Sequence, residues 1–189
     1  MRGTSIAALL LTAASAAPLS SDIHGIVRVA GRPAANAVVW LEAPDAVQPA
    51  AHKKVVLDQH NLNFWPRVLV VRVGAIVEFP NNDRVFHNVF SFRDGKKFDL
   101  GLYPVGAVKQ VAFTQPGLSR IYCNIHPQMA AYVMVVDTPY FDVSGEKGGF
   151  TLADVPAGTY TYHAWRAGGS VLDGSIGLAG DKVLDIQWP

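Results

Sequence analysis

Short apolar runs recur along the whole chain, cut by glycine, proline and Asn/Asp turns at intervals of roughly ten residues. Residues 25–30 and 37–42 are β-rich, with the turn Gly31–Arg32–Pro33 between them, and 43–51 is a Pro/Ala-rich connection. Residues 68–73 and 75–79 are β-branched runs separated by Gly74, and 80–84 is an Asn/Asp-rich turn. Further strands are expected at 85–92, 108–113, 120–123, 132–136, 158–166 and 183–188. In 158–166 the pattern has period two: Tyr160, Tyr162 and Ala164 share one face, and Thr159, Thr161 and His163 share the other. Residues 61–65 and 101–103 read as turns or short helices. No segment beyond the N-terminus sustains helical periodicity, so the pattern predicts an all-β protein of sandwich or barrel type.

Composition narrows the picture. Half of the 189 residues are hydrophobic and 16% are charged, which is enough apolar material for a core. A formal net charge of +1 offers no basic field for nucleic acid. The first residues stand apart from the strand pattern: Arg2, the apolar run 6–11 and the small residues 14–16 have the form of a secretory signal peptide, 1–16. The apolar run is too short for a strong membrane span. No membrane span is expected after cleavage, and the mature chain is expected in the periplasm.

Export makes the lone cysteine informative. Cys123 has no partner within the chain, and thiols oxidise outside the cytoplasm. It is therefore buried and inert, linked to another chain, or protected by a metal. His126 follows by three positions and Met129 by three more, giving Cys-x2-His-x2-Met. Thiolate, imidazole and thioether form a soft donor set, and a His2Cys trigonal set with a weak axial Met is an electron-transfer copper arrangement. The second imidazole has to come from a distant strand; His87, just beyond the 80–84 turn, is the candidate. Pro127 would restrict the ligand loop.

Each residue also has a plainer reading: Cys123 as a small buried hydrophobe, Met129 as core filling, His126 as a loop residue. The combination favours one copper ion per chain. A Cys/His nucleophile would leave His87 and Met129 unexplained, and a thioether suits zinc poorly. His24, His52 and His60 read as surface residues, His163 as structural or surface. Met134 reads as core, and as the fallback axial ligand.

These motifs resemble those of cupredoxins. The segments His87–Asn88–Val89 and Cys123–Asn124–Ile125–His126–Pro127–Gln128–Met129 look like cupredoxin copper motifs, and the short loop from Cys123 to Met129 is most like that of amicyanin. Residues 79–83 and 135–141, with Gln59, Phe64 and Pro66, resemble bacterial plastocyanin-like proteins labelled methylamine utilization proteins. That group usually carries Asp-Trp or similar before the methionine, where this chain has Pro127–Gln128, so the outer surface of the loop is expected to face a different partner than in its relatives. The resemblance implies copper ligation by His87, Cys123, His126 and Met129, with Asn88 and Asn124 supporting the ligands by hydrogen bonding. Residues 25–41 and 149–160 resemble strands of a carboxypeptidase-regulatory-like, transthyretin-like sandwich. The expected fold is a Greek-key cupredoxin β-sandwich, 52–138, inserted in or packed beside a small transthyretin-like sandwich made of 22–51 plus 139–189.

The implied function is a periplasmic type 1 copper protein passing one electron between redox partners, a cytochrome or dehydrogenase, and acting as a monomer. A copper carrier or storage protein, or a β-sandwich binding module with a structural copper site, are the alternatives. An enzyme is not expected. A multicopper oxidase needs further His clusters, which six histidines without a His-x-His pair do not provide, and a binuclear electron-transfer site needs a second cysteine.

Overall fold

The structure, a computed structural model, describes residues 20–43 and 55–189. The expected signal peptide, most of the 43–51 connection and His52 lie outside them. All regular structure among the described residues is β. The strands are β1 (Ser20–Val29), β2 (Arg32–Pro33), β3 (Val38–Leu41), β4 (Val55–Val56), β5 (Asp58–His60), β6 (Asn63–Trp65), β7 (Val68–Arg72) and β8 (Ala75–Pro80). They continue with β9 (His87–Ser91), β10 (Phe98–Tyr103), β11 (Val108–Phe113), β12 (Gly117–Tyr122) and β13 (Ala130–Val136). The remainder are β14 (Phe141–Val143), β15 (Gly149–Pro156), β16 (Gly158–Trp165), β17 (Leu172–Leu178), β18 (Lys182–Val183) and β19 (Ile186–Trp188). Among the described residues no helix is long and apolar enough to cross a membrane.

Strand pairing is segregated. One sheet runs β10-β9-β12-β13-β7 and faces a second, β11-β8-β4, while β5 and β6 form a hairpin beside them. The first and last parts of the chain pair with each other: β1 takes β15, β18, β19 and β2 as partners, and β14-β3-β16-β17 make a further sheet. Each sheet pair closes its own core. Leu57, Phe79, Phe113 and Ile121 lie in one, and Ile23, Leu41, Leu152 and Trp188 in the other. Burying each such side chain contributes roughly 1.5–3 kcal/mol.

A third apolar layer joins the two. Val38 and Trp165, from β3 and β16, pack with Val68, Met134 and Val136, from β7 and β13. The sheets therefore stack in sequence, and β13 is covered on both faces. Its alternation divides accordingly: Ala131, Val133 and Val135 enter the core beside Cys123, and Met134 and Val136 enter the joining layer. This is why 132–136 is apolar without a polar face.

Two segments differ from the turn-or-helix expectation. In 61–65, Asn61 and Leu62 have φ of 50° and 56°, the turn of a two-residue hairpin, and Asn63–Trp65 is its second strand. In 101–103, Gly101, with φ 64°, sits where the β9–β10 register shifts, so the segment is a bulged strand end. The expected strand at 183–188 is interrupted: β18 and β19 pair in parallel with successive parts of β1.

Candidate metal centre

Four expected ligands sit at one end of the β9–β12 pair. His87 opens β9, and its strand neighbour β12 ends at Tyr122, so Cys123 follows at the same end. The loop from Cys123 to Met129 is closed by backbone bonds, Met129 N–H to His126 O at 2.9 Å and Cys123 N–H to Met129 O at 3.4 Å. Two rigid strands and one short, tied loop thus place the side chains before any ion binds.

The donor atoms form a triangle. His87 Nδ1 lies 3.9 Å from Cys123 Sγ, His126 Nδ1 lies 3.7 Å from it, and the two imidazole nitrogens are 3.0 Å apart. These three residues form the metal-capable cluster found among the described residues. The point equidistant from the three atoms is about 2.1 Å from each, inside the usual metal–nitrogen and metal–sulfur range of about 2.0–2.3 Å. His87 and Cys123 are buried and His126 is half-buried, so one ligand edge alone reaches solvent. Two imidazoles and a soft sulfur fit copper chemistry.

Met129 is fully buried in the same core as Cys123. Met134, the fallback, belongs to the layer on the opposite face of β13 and points away. Asn88 joins the two ligand stretches. Its backbone N–H approaches Cys123 Sγ at 3.5 Å, its Oδ1 accepts from Asn124 N–H at 3.4 Å, and its Nδ2 donates to Asp99 Oδ1 at 2.7 Å. Asn124 contributes through its backbone; its residue is exposed.

Sequence reasoning missed two neighbours of the site. Asp83 Oδ2 accepts from His87 Nε2 at 2.9 Å. Burial would raise the Asp83 carboxyl, but hydrogen bonds from Leu62 N–H, His87 and Arg84 N–H outweigh it and hold the group down at about 2. The available signal was its place four residues before His87 in a turn. Tyr103 pairs with His87 in register, donates its hydroxyl to Phe79 O at 3.0 Å and accepts from Gln59 Nε2. Burial pushes its hydroxyl well above the ordinary tyrosine range, and the charge of Cys123 adds to this.

The other histidines lie elsewhere. His24 is exposed and meets Thr151 Oγ1 at 3.1 Å, and His60 pairs with Asp58 at 3.1 Å. His163 stands between Asp173 and Glu42, at 2.5 and 2.9 Å, and stacks on Trp40.

No protein-family model and no curated protein matches this sequence. Solved structures similar to it include a copper-containing nitrite reductase from Thermus scotoductus SA-01, at 26% identity over 48% of this chain and TM-score 0.43. A purple cupredoxin from Nitrosopumilus maritimus is similar at 26% identity over 44% of the chain, TM-score 0.39. Amicyanin is similar at 23% identity over 53% of the chain, TM-score 0.41. The matched part spans 23% of the nitrite reductase chain and 98% and 99% of the other two.

Proposed function

We propose that this chain is a type 1 copper protein that carries one electron at a time between redox partners in the periplasm. The observation that carries the reading is the triangle of His87 Nδ1, Cys123 Sγ and His126 Nδ1, buried at its first two corners and half-buried at the third. Cys123, His87 and His126 would hold the ion as close donors, and the Met129 thioether would be a weaker fourth donor that tunes its potential. Copper, when bound, would accept one electron from a reduced partner and pass it to an oxidised one, with no bond made or broken in either. The protein's part is geometric: strands β9 and β12 and the tied loop keep the donors in place, so little rearrangement accompanies the change of charge.

His126 is the proposed electron port, because its half-buried ring is the ligand edge nearest solvent. Exposed apolar residues lie next to the ligands in sequence, Phe86 beside His87 and Ile125 and Pro127 beside His126, with Pro104 and Val105 on the loop after Tyr103. They suit a small, transient docking patch. We read 52–138 as the copper unit, set into a sandwich built from 22–51 and 139–189; the segregated pairing and separate cores support this division. The test is the purified protein with one equivalent of copper(II): an intense visible band that bleaches on reduction and returns on oxidation by a cytochrome supports the shuttle. Copper lost to a chelator faster than electrons are exchanged would favour a carrier, a role the loop-borne, partly exposed His126 could also serve.

A further inference from the structure

We propose that Asp83 is a positioning residue for His87, presenting the Nδ1 edge of that ring to the metal and biasing the site toward the cupric state with a fixed negative charge. The inference rests on the copper reading above. Three observations carry it. His87 is fully buried, yet its Nε2 has a carboxylate partner, Asp83 Oδ2, at 2.9 Å. That oxygen lies on the edge of the ring away from Cys123 and His126, so Asp83 orients a ligand without being one. Asp83 is itself held from three sides: Oδ2 accepts Leu62 N–H at 2.7 Å, Oδ1 accepts Arg84 N–H at 2.8 Å, and its own N–H donates to Asn81 Oδ1 at 3.1 Å.

The Leu62 contact extends the tether beyond the ligand loop. Leu62 adopts a left-handed φ of 56°, a conformation leucine rarely takes, and its N–H is thereby aimed at the carboxylate. The β5–β6 hairpin therefore clamps the residue that clamps the ligand. A carboxylate on the second nitrogen of a metal-bound imidazole fixes its tautomer and raises its basicity. A neighbouring anion also favours the more positive oxidation state.

Asp83→Asn retains an oxygen acceptor and removes the charge. The expected result is an intact visible band with the Cu(II)/Cu(I) preference lowered about tenfold, a rise of about 59 mV for one electron. Asp83→Ala, which also removes the tether, is expected to bind Cu(II) at least tenfold more weakly. An Asp83→Asn protein that melts earlier but keeps the parent potential overturns the proposal, since a merely structural residue would do that. The copper-free parent gives a reading that needs no variant: nitrogen NMR of the His87 ring should place its proton on Nε2, and a proton on Nδ1 overturns the assignment. If the parent takes up copper without an intense band, it is the type 1 reading that has failed, and the ring proton still decides the role of Asp83.

Discussion

Replacing Asn88 by alanine tests whether the two ligand stretches are tied together as the geometry indicates. The side chain is buried and makes two bonds: a long one from Asn124 N–H at 3.4 Å, and a short one to the Asp99 carboxylate at 2.7 Å. A neutral bond of the first kind contributes roughly 0.5 kcal/mol, and a charged one about 1.5–3. Asp99 belongs to an exposed residue, so the lower part of that range applies. The loss should be about 2 kcal/mol in the copper-free protein, which for a chain of this size lowers Tm by roughly 4–8 °C. Urea unfolding followed by fluorescence measures it. Asn124→Ala is the control: the N–H that bonds Asn88 is backbone and survives, so that variant should lose under about 0.5 kcal/mol. If Asn88→Ala unfolds with its control, the bond across the ligand stretches carries no weight and the reasoning is wrong.

Met129→Leu should retain copper and raise the potential, read by redox titration, because on the proposed reading a weak thioether donor is lost while the three close donors remain. His163→Ala should leave the visible spectrum alone yet cost about 1 kcal/mol, since it removes the Asp173 and Glu42 pairing and the stack on Trp40. The Asp83 carboxyl, held at about 2 in the fold against an ordinary 3.8, is depressed, so its contribution is full above pH 4 and disappears as pH falls toward 2. The unfolding free-energy difference between the copper-free parent and Asp83→Asn should therefore shrink, by on the order of 2 kcal/mol, between pH 5 and pH 2.

The alternating runs and the turn residues between them made the all-β architecture legible, and the spacing of Cys123, His126 and Met129 pointed to one end of a strand pair. The β5–β6 hairpin escaped notice because its turn is Asn61–Leu62, with no glycine to supply positive φ at the second position. β10 was hidden in part by Gly101, whose bulge interrupts the alternation. Met134 illustrates a different limit. Its strand is apolar on both faces, and only the packing of Trp165 and Val38 against it reveals which side each residue serves. Asp83 reads in the sequence as one more polar turn residue. Its tie to His87 depends on how the chain folds back after β8, which local pattern does not specify.

The account turns on copper bound by Cys123 together with His87 and His126, and the spectrum of the protein loaded with one equivalent of copper(II) tests it most directly. We predict an intense blue or green band with a narrow copper hyperfine splitting in electron paramagnetic resonance, and loss of both in Cys123→Ser. A colourless stoichiometric complex, or a Cys123→Ser protein that keeps the band, contradicts it.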